Sequence, residues 1–172
     1  MRPFLAAVAL GLICGVNSVE ARLGETIAQC EARYGPVVER RRAQMQESDS
    51  DACIFSKSGI TTLVELKKGV VWRIVFRMVG MTGEEVATLL KANMADGGWG
   101  PALKINGQEF RISPDRRRVA VHTPAIDKSD VPTLEIAARE YGQASYASYA
   151  ARVAEAVGQV KGNKERQDLK GF

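Results

Sequence analysis

Residues 70–78 run Val-Val-Trp-Arg-Ile-Val-Phe-Arg-Met and carry the clearest β-strand pattern in the chain. The even-numbered positions from Val70 to Met78 are all apolar, whereas the odd-numbered positions mix valines with Arg73 and Arg77. Such alternation is typical of an antiparallel strand that turns one face to the core and keeps a mixed second face. The core-facing side chains that it predicts are Trp72, Ile74 and Phe76.

The same period of two extends along the chain in both directions. Upstream, residues 60–66 place alternate apolar side chains on one face, and Lys67-Lys68-Gly69 supplies a hairpin turn with glycine where a positive φ is needed. Downstream, Asn106-Gly107 separates two short strand-like runs, which is the strongest local signal for a hairpin. The further strands predicted are 52–57, 103–105, 108–112, 118–123 and 133–137.

Two amphipathic helices are predicted, one before each group of strands. The first covers residues 24–34, with Gly24 as N-cap and Gly35-Pro36 as its stop. The second covers residues 83–94 and begins with a capping box in which Thr82 is the N-cap. Together these patterns predict an α+β fold, an antiparallel sheet with helices packed on one face.

An internal echo indicates two tandem helix-plus-hairpin units, residues 22–78 and 79–142. The helix start at Gly24 resembles the one at Gly83 at an offset of 59 residues, while residues 55–66 resemble residues 110–121 at an offset of 55. Repeated supersecondary units leave this signature in a sequence. The alternative is that any two capped amphipathic helices look alike.

The chain begins with the three parts of a secretory signal peptide. A short positive start at residues 1–3 is followed by an apolar stretch over residues 4–16 and a small-residue exit signal at residues 19–21. The apolar stretch is shorter than the ~20 residues that span a bilayer. We therefore expect cleavage before Arg22 and a periplasmic or secreted protein.

The cysteines fit an exported chain. Cys14 leaves with the signal, and an acylated Cys14 is the less favoured alternative because the bulky Ile13 precedes it. The remaining Cys30 and Cys53 are expected to form one intramolecular disulfide, with two buried reduced thiols as the alternative. With His122, the only histidine, they fall short of a four-ligand zinc site, so neither a metal nor a cofactor is predicted.

The C-terminal part of the chain changes character after the last predicted strand. Apolar side chains recur there at helical spacing and predict a helix over residues 144–160, which completes a domain spanning residues 22–162. Residues 163–172 are polar and charged and are expected to form a flexible tail. The apolar positions of this helix are Tyr146, Tyr149, Val153, Val157 and Val160.

The charge of the chain is mildly basic. Removing residues 1–21 takes away one arginine and one glutamate, so the formal net charge stays at +4. This value excludes the dense basic stripe of a nucleic-acid binder, and no segment after the signal is long and apolar enough for a membrane span. The arginine runs Arg40–Arg42 and Arg116–Arg118 have no assigned role. The first is interpreted as a solvated helix face, with contact to an anionic partner as the alternative.

The two helix openings resemble those of known exported families. Gly24-Glu25-x-Ile27 leading to Tyr34-Gly35-Pro36, and Gly80-Met81-Thr82-x-Glu84-Glu85-Val86, resemble outer-membrane assembly lipoproteins of the small-protein-A type. They are similar, too, to the tandem-repeat fold of secreted β-lactamase inhibitor proteins. Both resemblances imply helices on an antiparallel sheet and function by protein binding without chemistry. Residues 22–35 also resemble uncharacterised small exported bacterial proteins, and the chain lacks the lipoproteins' acylation signal.

No catalytic motif is recognisable, so no catalytic residue is predicted. We expect a non-catalytic protein- or ligand-binding module with an unknown protein partner in the cell envelope or outside the cell. Its candidate interface residues are Trp99, Arg73 and Arg77, because loop aromatics and arginines often anchor interfaces. For Trp99 the favoured alternative is a loop tryptophan that folds back over the core. The alternative is a small secreted or periplasmic hydrolase, which a pocket holding His122 with two carboxylates within hydrogen-bond reach would favour.

Overall fold

The computed structural model describes residues 22–42, 51–94 and 96–138, together with Ala151. The predicted signal peptide, residues 1–21, and the predicted tail, residues 163–172, lie outside the described residues. So does the predicted C-terminal helix, residues 144–160, apart from Ala151.

The described residues form two helices and eight strands. Their order places one helix before each group of four strands. The elements are α1 (Ile27–Tyr34), β1 (Glu39–Arg42), β2 (Asp51–Lys57), β3 (Ile60–Lys67), β4 (Val70–Arg77), α2 (Gly83–Ala92), β5 (Leu103–Ile105), β6 (Gln108–Ile112), β7 (Arg118–Thr123) and β8 (Thr133–Ala138).

All eight strands belong to one antiparallel sheet with the order β1-β2-β3-β4-β8-β7-β6-β5. Each half is a four-strand meander, and β4 and β8, the last strands of the two meanders, pair at the centre. The predicted hairpins at Lys68-Gly69 and Asn106-Gly107 are confirmed, with positive φ at all four residues. The antiparallel sheet combined with helices is the α+β architecture that the sequence predicts.

The first helix begins two residues later than predicted. Its N-cap is Thr26 rather than Gly24, and the Thr26 and Gln29 side chains form a reciprocal capping box. Gln29 Oε1 accepts a hydrogen bond of 2.8 Å from the backbone N–H of Thr26. Thr26 can satisfy the free N–H groups at the helix start, which Gly24 cannot, since it has no side chain.

The corrected cap changes the register of the internal echo. The N-caps Thr26 and Thr82 lie 56 residues apart, not 59, which is close to the offset of 55 that relates Phe55 on β2 to Phe110 on β6. At the new offset the buried Cys30 and Tyr34 of α1 correspond to Val86 and Leu90 of α2. Duplication of one unit stays a prediction.

The first arginine run is an edge strand, so its interpretation as a helix face was wrong. Arg40–Arg42 lie in β1, every residue of which is exposed. The strand pairs with β2 from Glu39↔Ile54 onwards, and the N–H of Val38 donates to the carbonyl of Ile54 at 2.8 Å. Gly35 ends α1 at a positive φ, so the chain is free to turn back along β2.

The predicted side-chain alternation of β4 is broken at Trp72. The pairs Glu65↔Arg73 and Leu66↔Val71 leave Trp72 without an opposite residue, at a β-bulge. Trp72 is fully buried with residues of the other sheet face, whereas Ile74 lies in the predicted core. Placing Trp72 beside Ile74 was therefore wrong, because a bulge inserts one residue and reverses the alternation beyond it.

The buried side chains form two clusters. The first cluster contains residues of both helices, Tyr34 and Leu89 among them, together with strand residues such as Phe55 and Ile74. The second cluster contains only strand residues, and its buried members are Trp72, Phe110, Val119, Val121 and Ala137. Within the described residues, neither helix is long and apolar enough to span a membrane.

Candidate functional site

One face of the first meander is only partly covered. The side chains of Ile54, Leu63 and Val75 lie side by side across β2, β3 and β4, because Ile54 pairs with Leu63 and Leu63 with Val75. Directly opposed residues of an antiparallel pair share a face. All three are half-buried, so they form an aliphatic row that solvent still reaches.

A polar row borders these aliphatic side chains. Ser56 pairs with Thr61, Thr61 with Arg77, and Arg77 with Thr133 of β8. Ser56, Thr61 and Arg77 are exposed, and Thr133 is half-buried. We call the combined surface the open face, defined by Ile54, Leu63, Val75, Ser56, Thr61, Arg77 and Thr133.

The opposite side of the same strands is fully covered. Cys53, Val64 and Ile74 are successive register partners on β2, β3 and β4, and each is 0% exposed. They belong to the first cluster, to which both helices contribute. On the side of the open face, the neighbouring row Ala52–Glu65–Arg73 is also buried, with Ala52 2% and Glu65 0% exposed, so solvent reaches that side only from the row Ile54–Leu63–Val75 onwards.

Arg73, a predicted interface residue, is held inside the protein. Its Nη1 lies 2.6 Å from Glu65 Oε1, and its Nε lies 2.6 Å from Glu135 Oε1. The Glu65 side chain is 0% exposed and that of Arg73 is 11% exposed. A guanidinium between two carboxylates compensates charges that would be costly to bury alone, so Arg73 stabilises the sheet.

Arg77, the second predicted interface residue, lies four residues farther along β4. It is exposed, and its register neighbours on either side are Thr61 and Thr133. An arginine flanked by hydroxyl groups on an open sheet can donate several hydrogen bonds to a carboxylate. Arg77 is thus the cation of the open face.

Trp99, the third predicted interface residue, is half-buried and packs against the first cluster. Its indole Nε1 donates a 2.7 Å hydrogen bond to the carbonyl of Leu90, near the end of α2. The next residue, Gly100, donates its N–H to the carbonyl of Ile112 at 2.9 Å, and a Cβ there would lie 2.6 Å from that oxygen. Trp99 and Gly100 therefore anchor the loop that follows α2, one end to α2 and the other to the end of β6.

Cys30 and Cys53 are buried and are not joined in the structure. Cys30 lies on α1 and Cys53 on β2, and both are 0% exposed. Burial, together with the nearby Glu25 carboxylate, raises the pKa of the Cys30 thiol from its ordinary 9.0 to about 12. Burial also raises the pKa of Cys53, so both reduced thiols stay protonated and unreactive near pH 7.

His122 lies on β7 opposite Glu109 of β6. Its Nδ1 is 4.0 Å from Glu109 Oε2, beyond hydrogen-bonding distance. Burial lowers the pKa of His122, which keeps the imidazole neutral at pH 7, although the Glu109 carboxylate acts in the opposite direction. In the described part of the chain, this one carboxylate is the only acidic group that forms an ion-pair contact with His122.

A polar cavity of about 300 Å³ lies elsewhere, between α1 and the end of β2. It is lined by Glu25, Gln29, Ala32, Arg33 and Lys57. Arg33 forms an ion pair of 2.6 Å with Glu25, and Lys57 Nζ donates to the carbonyl of Arg33 at 2.6 Å. Its charged groups therefore bind one another across the junction of helix and sheet.

No cluster of three or more metal-ligating side chains occurs in residues 22–42, 51–94 and 96–138. In the second arginine run, Arg118 Nη1 donates to the carbonyl of Asn93 at 2.7 Å, which ties β7 to the end of α2. Arg116 and Arg117 are exposed in the turn before β7.

The open face contains aliphatic residues that sequence analysis did not select. Ile54, Leu63 and Val75 are apolar, so β2, β3 and β4 each present apolar side chains on both faces. The alternation shows that two faces exist, but it does not show which one the helices cover. The arginine at position 77 was the detectable signal of this surface.

Comparisons with known proteins give no functional assignment. No family model matches the chain, and no curated protein matches it. Among solved structures, a cysteine-rich secretory protein from Staphylococcus aureus subsp. aureus Mu50 is similar at a TM-score of 0.41 and 10% identity. The match covers 70% of this chain but only 46% of that protein.

Proposed function

We propose that this protein is an exported, non-catalytic module that binds another protein through its open face. The observation that carries the proposal is the row Ile54–Leu63–Val75, which is half-buried, while its neighbouring residues on the other side of the same strands are fully buried. A flat aliphatic surface with a polar border has the anatomy of a protein interface.

The proposal includes the finer arrangement of the fold. Both helices pack on one side of the sheet, and the two meanders are tandem units that meet at β4 and β8. The first cluster supports this arrangement, because residues of α1 and α2 share it with Cys53, Val64 and Ile74. The symmetric strand order supports the tandem units.

The chemistry of the open face defines the kind of partner. Its centre is aliphatic, its border carries the hydroxyl groups of Ser56, Thr61 and Thr133, and its exposed cation is Arg77. A matching protein surface would present an apolar patch with a carboxylate at its border. Covering the remaining exposed part of one aliphatic side chain contributes up to about 1 kcal/mol, so the row and Arg77 together can support a specific complex.

Export is part of the same proposal. It depends on the signal-peptide pattern of residues 1–21 and places the partner in the cell envelope or outside the cell. For the alternative, a hydrolase, His122 would need two carboxylates within hydrogen-bond reach. The 4.0 Å contact with Glu109 does not meet that condition, so we develop the binding function alone.

Affinity capture with matched variants tests the proposal. Tagged protein starting at Arg22 is incubated with periplasmic and culture extracts, in parallel with the Leu63→Lys and Arg77→Glu variants. The control is Val79→Lys, because Val79 is 81% exposed in the turn after β4, outside the open face. We expect a partner that the parent and Val79→Lys retain and that both open-face variants lose.

The stability of the variants separates folding from binding. All three substitutions lie at accessible positions, so the thermal midpoints should remain close to that of the parent. A partner that both open-face variants retain at parental affinity would contradict the proposed surface.

A further inference from the structure

The polar cavity between α1 and the end of β2 shares no residue with the open face. Gln29, Ala32 and Arg33 line it from one side of α1, because residues three and four positions apart are neighbours on a helix. Glu25 precedes α1, and Lys57 is the last residue of β2. Its volume of about 300 Å³ reaches the size at which proteins hold small ligands.

The walls of the cavity are held together by the core beneath them. The ring of Tyr34 on α1 lies 5.4 Å from that of Phe55 on β2, measured between centroids, and both side chains are buried. Cys30 and Cys53, from the same two elements, are buried in the same first cluster. The packing of α1 on β2 therefore forms the cavity without help from a ligand.

The charges that line the cavity do not cancel. Glu25 Oε1 lies 2.6 Å from Arg33 Nη2, so these two opposite charges compensate each other. Lys57 Nζ donates to the carbonyl of Arg33 at 2.6 Å, but a carbonyl has no net charge to offset the ammonium. Among the residues that the structure describes, Lys57 forms no ion pair with a carboxylate. A half-buried cation is thus left in excess.

Gln29 adds hydrogen-bond donors to the same cavity. Its Oε1 accepts from the backbone N–H of Thr26 at 2.8 Å and from Thr26 Oγ1 at 3.0 Å, which fixes the orientation of the amide. The Nε2 group, with its two N–H donors, donates to no group within the described ranges. Lys57 Nζ likewise has donors beyond the one that Arg33 uses.

We propose that this cavity binds the carboxylate of a small organic anion between Lys57 and Gln29. The ammonium of Lys57 supplies the ion pair, and the amide of Gln29 donates a neutral hydrogen bond. The Glu25 carboxylate in the wall disfavours a doubly charged anion such as phosphate, whereas Ala32 offers contact to a short aliphatic chain. The site does not depend on the open face, since the two share no residue.

The alternative is that Lys57 serves α1 alone. The carbonyl of Arg33 is one of those at the end of a helix that have no partner within the helix, and a lysine can satisfy it. Such a cap needs neither a ligand nor the amide of Gln29. It predicts that the cavity does not respond to added carboxylate, so the two roles are separable by titration.

NMR titration of the full mature chain tests the site. Sodium propionate replaces sodium chloride at constant ionic strength, so the response is to the carboxylate and not to salt. We expect saturable shifts of the Gln29 side-chain amide and of the Ala32 backbone amide. Lys57→Met should weaken binding at least tenfold. Lys128→Met, which removes an exposed lysine from the loop between β7 and β8, should bind propionate as the parent does.

A second variant keeps the test valid if Lys57→Met fails to fold. Gln29→Glu retains the capping box with Thr26, because glutamate is a usual partner at that position, but it replaces the amide donors with a negative charge. This variant should melt no lower than the parent and lose propionate binding. Parental affinity in a folded Gln29→Glu chain would overturn the proposal.

Two further probes distinguish a free organic acid from the C-terminus of a peptide. N-acetyl-alanyl-alanine should compete with propionate, and tighter binding than that of propionate would identify a chain terminus as the source. Weaker binding would identify a free acid. The C-terminal amide of the same dipeptide lacks the carboxylate and should not bind. Equal binding of the amide, or no shift when propionate replaces chloride, would overturn the proposal.

Discussion

At the scale of single residues, the two arginines on one side of β4 differ in their surroundings. Arg73 lies between Glu65 and Glu135, whereas Arg77, four residues later, is exposed. In the sequence both occupy the same kind of position on a mixed strand face. The buried carboxylate comes from β3, which the sequence alone does not place beside Arg73.

This contrast gives a prediction about stability. Arg73→Met leaves Glu65 buried without its cation and should lower the free energy of unfolding by about 3–5 kcal/mol. Arg77→Met removes an exposed charge and should change it by less than about 0.5 kcal/mol. Urea unfolding of both variants measures the difference, and equal stability would contradict the structural role of Arg73.

The cysteine pair gives a second prediction at this scale. Cys30 and Cys53 lie on neighbouring elements, α1 and β2, and we expect them to be joined in protein recovered from an oxidising compartment. Closing the loop between them would stabilise the fold by roughly 3 kcal/mol in the chain-entropy model. Thiol titration of denatured, unreduced mature protein should find no free thiol, and two per chain would exclude the disulfide.

The reduced protein should show a characteristic loss of stability in alkali. The folded state raises the pKa of Cys30 from 9.0 to about 12, so folding favours the protonated thiol. Its contribution is therefore complete below pH 9 and declines as the pH rises towards 12, by up to about 1.4 kcal/mol per pH unit. Urea unfolding of reduced parent and Cys30→Ala between pH 8 and 10.5 isolates this contribution, and parallel pH dependences would contradict it.

At the scale of elements, β4 has one fully buried side and one side that solvent reaches at Val75 and Arg77. Ile74 is 0% exposed in the first cluster, and its neighbour Val75 is half-buried on the open face. Successive residues of a strand point to opposite faces, so Ile74 reports on the buried side of β4 and Val75 on the side that solvent reaches.

Matched aspartate substitutions test this assignment. Ile74→Asp buries an unpaired carboxylate and should destabilise the protein by several kcal/mol. Val75→Asp leaves the carboxylate within reach of water and should cost much less. Thermal melts of the two variants give the order, and a less stable Val75→Asp would show that the faces are reversed.

At the scale of the whole molecule, local sequence patterns predicted the helices and strands better than they predicted which strands pair with each other. The hairpin turns, the capping box of α2 and most strand limits follow from neighbouring residues, and all were recognisable. The strand assignment of Arg40–Arg42 was missed, because pairing with β2 determines it and local composition does not. The position of Trp72 was missed for the same reason, since the bulge is a property of the pairing between β3 and β4.

The candidate site was only partly predictable. Arg77 was recognised from its residue type, whereas Ile54, Leu63 and Val75 were not distinguished from core residues. Their exposure depends on which sheet face carries the helices, a relation between distant segments. Arg73 was selected as an interface residue, but the structure places it against Glu65, whereas Trp99 packs against the first cluster, as its favoured alternative predicted.

Hydroxyl-radical footprinting of the captured complex tests the central claim, that a partner binds on the open face, most directly. The method reports solvent contact of individual side chains in the unmodified protein. We predict that oxidation of Ile54, Leu63 and Val75 falls when the partner is bound, while oxidation of Val79 and the 91%-exposed Ile126 stays unchanged. Protection of Val79 or Ile126 with unchanged oxidation of Leu63 would contradict the claim.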